Sequence, residues 1–311
     1  MKSLDALMQE LCPDGVEFVK LGEVCNRNKG ISITAAKMKE INKKGAPVRI
    51  FAAGNTKADV EYCDIERKAV ITSPSVIIKS RGNIGFEYYD EPFSHKAEMW
   101  SYSAKDSKKI DIKFLFYYLS SKTDKFQTRA KANAVKLPQL SIGDTDNYEI
   151  PLPPISIQAE IVRILDTFTS LEAELEKELD CRKRQYAYYR DTLLSFEGKE
   201  GVAWKKLGEV CEINRGKRVV KKELEQKGDI PVFQNSLIPL GYSHKSNYPA
   251  NTTFVISAGA AGNVGFCDKD FWAADDCLCL TCSENLTDKY VYYFLMTKQA
   301  YLLSRVRKAS V

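Results

Sequence analysis

The chain has 311 residues, which by ordinary domain sizes means about two folding units, each large enough to bury a core. Apolar residues make up 44% and charged residues 28% of it, a globular composition that excludes a wholly disordered chain. No apolar run approaches the ~18 residues of a membrane span, and the opening MKSLDALMQELCPDG carries charges where a signal peptide has its apolar stretch, so a soluble, cytoplasmic protein without a membrane partner is expected.

The net charge of +5 is too mild to establish a polyanionic partner, but its distribution is informative. Residues 1–150 carry +4, residues 151–200 carry −3 and residues 201–311 carry +4. Two basic blocks around an acidic connector suit a protein that touches a polyanion at two places.

In chain order, the first signal is Lys20-Leu-Gly-Glu-Val-Cys25, which returns as Lys206 to Cys211 at an offset of 186. Val70-Ile-Thr and Val76-Ile-Ile-Lys are β-branched runs that predict strands. They lead into Gly82-Asn-Ile-Gly-Phe86, which returns as Gly262-Asn-Val-Gly-Phe266 at offset 180. Glycine supplies backbone conformations that other residues resist, and neither GxGxxG nor GxxxxGK[ST] occurs, so this element is read as a turn required by the fold and not as a phosphate loop. Lys113-Phe-Leu-Phe-Tyr-Tyr-Leu-Ser-Ser-Lys122 returns as Lys289 to Lys298, and Arg129 to Val135 as Arg305 to Val311, both at offset 176. Four blocks in the same order with a drifting offset mean a duplicated domain.

Between the copies, Pro151-Leu-Pro-Pro154 cannot be helix interior, whereas Ser156 can cap a helix, with Glu160 favourably placed in its first turn. Ile157, Ile161, Ile164, Phe168, Leu171 and Leu175, then Leu179, Arg182, Tyr186, Tyr189, Leu193 and Phe196, alternate by four and three with one slip, predicting a coiled-coil-type helix of about 60 Å. Its other faces are acidic, from Glu172 to Asp180. In the second copy, Thr253-Phe-Val-Ile-Ser predicts a strand, and Cys277-Leu-Cys-Leu-Thr-Cys282 another. The fold expected is α+β: duplicated mixed strand and helix domains over 1–150 and 199–311, joined by a long helical spacer over 151–198.

Enzyme chemistry finds little support. The nine cysteines are an odd number and lack a secretory context, so a disulfide framework is not expected. Cys277, Cys279 and Cys282, with Cys267 upstream, lack the paired C-x-x-C spacing of structural zinc, and are read as small core residues. Asp59 followed by Glu66-Arg-Lys68 imitates a metal-dependent nuclease, yet the pattern is short and has nothing equivalent near Asn247-Tyr-Pro-Ala250. His95 and His244 lie near no nucleophile. No catalytic residue, metal or cofactor is expected.

Leu152-Pro-Pro-Ile-Ser-Ile-Gln158, Ile161-Val-Arg-Ile-Leu-Asp166, the duplicated Lys-Leu-Gly-Glu-Val opening and the duplicated Gly-Asn-x-Gly-Phe turn resemble the specificity subunit of type I restriction-modification systems, over essentially the whole chain. The resemblance implies a non-catalytic subunit whose globular copies are target-recognition domains, each reading half of a split double-stranded DNA target. It implies that the helices pair antiparallel, set the gap between half-sites and carry the methyltransferase (modification) subunits, through which the restriction subunit acts. The alternative class is a scaffold that uses both domains for protein contacts.

The duplication sorts candidate residues. Shared basic tails, Arg129, Lys131 and Lys136 in one copy and Arg305, Arg307 and Lys308 in the other, suit phosphate contacts. Polar stretches that differ suit base reading: Asn55, Lys57, Lys79 and Arg81 in the first copy, and Gln234, Asn235 and Ser236 in the second. Val311 aligns with Val135, so counterparts of Lys136 to Phe196 are lacking. A shortened family member is therefore expected, one whose 157–196 stripe pairs with another chain, as in a homodimer.

Overall fold

The computed structural model describes residues 4–132, 134, 136–220, 222 and 224–306. They fall into two compact units, Met1–Leu175 and Glu176–Val311.

In the first unit, α1 (Leu4–Leu11) precedes β1 (Phe18–Lys20), α2 (Leu21–Val24) and β2 (Cys25–Lys29). Then come α3 (Ala35–Ile41), β3 (Val48–Phe51), β4 (Lys57–Val60), β5 (Ser75–Lys79), β6 (Gly85–Tyr89), β7 (Phe93–His95) and β8 (Trp100–Ala104). The helices α4 (Ile112–Ser120), α5 (Thr123–Ala132) and α6 (Ile142–Asp146) lead to β9 (Glu149–Pro151), which pairs with β1, and to α7 (Ile155–Leu193). Two sheets form the body, one antiparallel in the order β2-β8-β5-β6 and one in the order β4-β3-β7 with β3 and β7 parallel. Strand β5 is apolar at consecutive positions because both its faces are covered. Val76 and Ile78 pack with Leu115, Leu119 and Phe126 of the helical layer, while Ile77 packs with Phe51, Phe93 and Met99.

The second unit repeats this plan. It contains α8 (Leu207–Val210), β10 (Cys211–Arg215), β11 (Ile230–Phe233), β12 (Gly241–Ser243), β13 (Thr252–Ile256), β14 (Val264–Cys267), β15 (Trp272–Ala273), β16 (Cys277–Cys282), α9 (Asp288–Thr297) and α10 (Gln299–Ser304). Its sheets run β10-β16-β13-β14 and β12-β11-β15. Strand for strand these match the first unit, down to the parallel pair β11–β15. Cys277 and Cys279 are fully buried in an apolar cluster with Phe254 and Phe271, as small core residues.

Three local expectations need correction. Val70-Ile-Thr is not a strand: Ile71 makes only an isolated bridge to Phe93. Helix α7 starts at Ile155, so Ser156 lies inside it, and the Pro154 carbonyl accepts from the Ile157 and Gln158 amides at 2.9 and 3.2 Å. It ends at Leu193, and Phe196 lies beyond it. The long helix itself is present, 39 residues without a break.

Candidate nucleic-acid interface

Each Gly-Asn-x-Gly turn is held by a glutamine from the helical layer. In the first copy the Ile84 amide donates to Gln127 Oε1 at 2.8 Å, and Gln127 Nε2 donates to the Gly82 carbonyl at 3.1 Å. In the second, the Val264 amide donates to Gln299 Oε1 at 3.3 Å, and Gln299 Nε2 donates to the Gly262 carbonyl at 2.6 Å. Gly82 and Gly262 have φ of 73° and 84°, the left-handed region that favours glycine. The repeated glycines therefore serve the fold. Gln127 and Gln299 escaped the sequence reading because they are 172 residues apart, one helical turn out of step with the offset of 176 in the flanking blocks.

A second repeated device joins the two sheets. A Cβ on Gly30 would lie 2.3 Å from the Lys96 carbonyl oxygen, and one on Gly216 would lie 2.2 Å from that of Ala274. These glycines sit five residues beyond Cys25 and Cys211, at the offset of 186. That signal was available and was not used.

In each unit the tip of the small sheet's first hairpin meets the hairpin that carries the glycine turn. In the first, the β3–β4 tip turns through Gly54 (φ 69°), exposes Asn55 and leads into Lys57. Glu87 on β6 accepts from Lys57 and lies 3.0 Å from Lys79 Nζ, tying the tip to the β5–β6 hairpin. Burial pushes the Glu87 carboxyl up, and the hydrogen bonds from the two lysines outweigh it and hold the group below its ordinary range. Arg81, just past β5, donates from Nε to Gln139 Oε1 at 3.2 Å and is otherwise exposed. In the second unit, the Asn235 carbonyl accepts from the Ala260 amide at 2.8 Å, so the β11–β12 tip meets the β13–β14 turn. There Ser236 Oγ caps the amide of Ile238, whose side chain is 77% exposed.

The basic tails are less alike than their sequences. Arg129 pairs with the buried Asp144, which the Ser141 amide and hydroxyl also hold. Arg305 instead lies 5.1 Å from the centre of the Tyr301 ring. Lys131, in the last turn of α5, and Lys136 are exposed. Arg307 and Lys308 lie outside the described residues.

The proline-glutamine motif anchors α7 to the first unit. Gln158 is fully buried, accepts from the Asp111 amide at 2.8 Å and donates to the carbonyls of Lys109 and Pro153 at 2.8 and 2.7 Å. Two turns on, Asp166 accepts from Lys113 at 2.8 Å and from Tyr117 at 2.6 Å. Burial opposes ionisation of Asp166, but these partners prevail and lower its pKa. Met8 of α1 lines an apolar cavity of about 340 Å³ together with Ile157, Ile161 and Leu165. Beyond that point the stripe is open: Phe168, Leu175 and Leu193 are 64%, 66% and 71% exposed.

The nuclease-like residues are engaged elsewhere. Asp59 receives two hydrogen bonds from Arg49, at 2.7 and 3.1 Å, and Glu66 pairs with Lys68 at 2.8 Å. Among the described residues, no group of three His, Cys, Asp or Glu could hold a metal ion. His95 is fully buried, and His244 is exposed beside Glu225.

A duplicated two-sheet α+β unit, each copy closed by a glutamine-held glycine turn, with one long helix between the copies, defines a class of internally duplicated modular proteins. The family model for the type I restriction modification DNA specificity domain matches residues 13–180 and 199–310, and the chain belongs to that family. It is 41% identical over 133 residues to the EcoR124I/EcoR124II specificity subunit of Escherichia coli, a match covering 40% of this chain and 32% of that protein. It is 29% identical over 252 residues to a putative type I specificity subunit of Haemophilus influenzae, covering 70% of this chain and 62% of that one. The chain thus spans less than two thirds of the length of either relative. The crystal structure of the S subunit of a type I restriction-modification system from M. genitalium superposes with a TM-score of 0.67 at 17% identity, over 93% of this chain and 79% of that one, and shares the fold.

Proposed function

We propose that this chain is the DNA-reading subunit of a type I restriction-modification complex. Each unit binds one half of a bipartite duplex target, and partner modification subunits, with the restriction subunit acting through them, perform methylation and cleavage. The observation that carries this reading is the pairing of the same two loops in both units with different side chains. In one unit Lys57 and Lys79 share Glu87, with Asn55 on the same tip as Lys57 and Arg81 two residues past Lys79, and in the other the tip carries Gln234, Asn235 and Ser236. Arginine and lysine suit guanine, while asparagine and glutamine suit adenine, so the two halves would read different bases. The test is duplex affinity across a salt series, with methyl transfer and cleavage measured on the purified chain. The expected result is binding that weakens steeply with salt, as phosphate contacts release counterions, and no turnover. Salt-indifferent affinity would favour the protein scaffold instead.

We also infer that the open stripe of α7 takes a second copy of the same helix, antiparallel. The five carboxylates from Glu172 to Asp180 precede Arg182, Lys183, Arg184 and Arg190, so an antiparallel pair sets acidic against basic segments. Such a pairing, centred between Asp180 and Cys181, also places Phe168 opposite Leu193 and Leu175 opposite Tyr186. Sedimentation of the wild-type chain should report a dimer at micromolar concentration, and Phe168→Asp with Leu175→Asp should give a monomer. A monomeric wild-type chain refutes the pairing, and a dimeric double variant places the interface elsewhere.

A further inference from the structure

The second unit carries a thiol pair that the first lacks. Cys211 opens β10, Cys282 closes β16, and the two are directly opposite each other in the antiparallel ladder. The next pair along, Val210 and Ser283, is hydrogen-bonded, with the Ser283 amide donating to the Val210 carbonyl at 3.1 Å. Hydrogen-bonded and non-hydrogen-bonded pairs alternate, so the two cysteines occupy a narrow position, where Cα atoms are about 4.5 Å apart. That separation lies within the range a disulfide can span without backbone movement. Their sulfurs are 3.1 Å apart.

The first unit has the same backbone at this place, with the Lys105 amide donating to the Val24 carbonyl at 3.0 Å, but there Cys25 faces Ala104. The pair therefore adds something the fold does not need. Of the other cysteines, Cys277 and Cys279 are buried in the apolar core, while Cys63 and Cys181 are exposed.

We propose that Cys211 and Cys282 form a redox-closable staple, oxidised by a low-molecular-weight disulfide such as oxidised glutathione. Cys282, the more exposed of the two, attacks as its thiolate, forming a mixed disulfide and releasing one glutathione thiolate. Cys211, as thiolate, then attacks the Cys282 sulfur of that mixed disulfide, closing the protein disulfide and releasing the second glutathione. Two protein thiols are oxidised and one glutathione disulfide is reduced to two thiols, the two protons that leave the cysteines ending on the two glutathione sulfurs by way of solvent. Closure fixes edge strand β10 to β16 and removes from the unfolded chain the freedom of the long intervening loop. Burial and the adjacent Cys211 push the Cys282 thiol up, so exchange should quicken as pH rises.

The experiment uses the full chain, equilibrated with oxidised glutathione at mildly alkaline pH, quenched by alkylation and peptide-mapped. The expected product is a cross-link between the peptides holding Cys211 and Cys282. It should be accompanied by a rise of about 5 °C or more in the thermal midpoint of the second unit, reversed by dithiothreitol. Neither the cross-link nor the shift should appear in Cys282→Ala. The proposal is overturned if both thiols stay alkylatable while Cys63 and Cys181 acquire glutathione, if Cys282 stops at the mixed disulfide, or if the cross-link maps to other cysteines.

Discussion

The face that receives α7 in the first copy and its counterpart in the second carry matching residues in different surroundings. Lys113 and Tyr117 of α4 donate to Asp166, and Phe114 beside them is 5% exposed. At the offset of 176, α9 offers Lys289, Tyr293 and Tyr290. Tyr290 is 39% exposed, and Lys289 lies over the Phe266 ring without a carboxylate partner among the described residues. Between the sheets the copies diverge further. Asn28, opposite Ser101 on β8, lies within hydrogen-bond reach of Ser75, Ser101 and Ser103, and Ser101 meets His95 at 3.2 Å. The second copy sets Asn214 opposite Cys279 and has Ala273 in the ladder position of His95. Duplication has kept the residues that hold backbone to backbone and released those that fill the interior or face outward.

The comparison is sharpest where both copies need the same atom to be missing. Gly30→Ala and Gly216→Ala each drive a methyl group into a backbone carbonyl that cannot move without parting the two sheets. Each should cost about 3 kcal/mol or more, confined to its own unit. Urea unfolding followed by a probe in each half should show one transition collapsing and the other unmoved. Equal losses in both would mean that the units do not unfold separately.

Acid should separate the copies through His95. Burial lowers its pKa from 6.5 to about 4, so the folded first unit holds it neutral while the unfolded chain takes up the proton. Stability from this source is complete above pH 6.5 and is lost as pH falls toward 4, by about 2 kcal/mol at pH 5. The second unit has no such group. The urea midpoint of the first unit should therefore drop between pH 7 and pH 5 while that of the second holds, and parallel midpoints would show that His95 is not buried in neutral form.

The glutamine clamps test what the copies share. Gln127→Ala and Gln299→Ala each free one amide and one carbonyl of a glycine turn, at an expected cost of about 1–2 kcal/mol in the corresponding unit. A loss in only one copy, measured by the same unfolding assay, would mean that the other turn is held by its neighbours.

Much of this architecture was legible because duplication exposes it: the repeated blocks located both units, and the four-and-three stripe located α7. What stayed hidden follows from physics that single-residue patterns do not carry. Gln127 and Gln299 act through backbone groups on a distant turn, and a one-turn slip between the copies took them out of register. Arg129 looked like a free cation because nothing in its neighbourhood announces that Asp144, brought back by α6, will neutralise it. Lys57 and Lys79 are far apart in sequence and share Glu87 only once the small sheet packs against the large one.

The smallest expected effect distinguishes base reading from backbone contact within the first unit. Lys131 projects from the last turn of α5, so Lys131→Ala should weaken every duplex alike, by about 1 kcal/mol or less, and lower the salt slope by about one. Arg81 has a fixed origin: its backbone is bridged to Gln139, and its Nε is spent on the Gln139 side chain. That bond leaves the terminal nitrogens of its guanidinium available, and those are the donors that bidentate recognition of a guanine would use. Arg81→Ala should cost about 1–3 kcal/mol on the preferred duplex and almost nothing on one altered at the contacted base pair. Competition between the two duplexes gives the answer without absolute affinities. If Arg81→Ala weakens both equally, Arg81 is a phosphate contact, and base reading in this unit falls to the Asn55 tip.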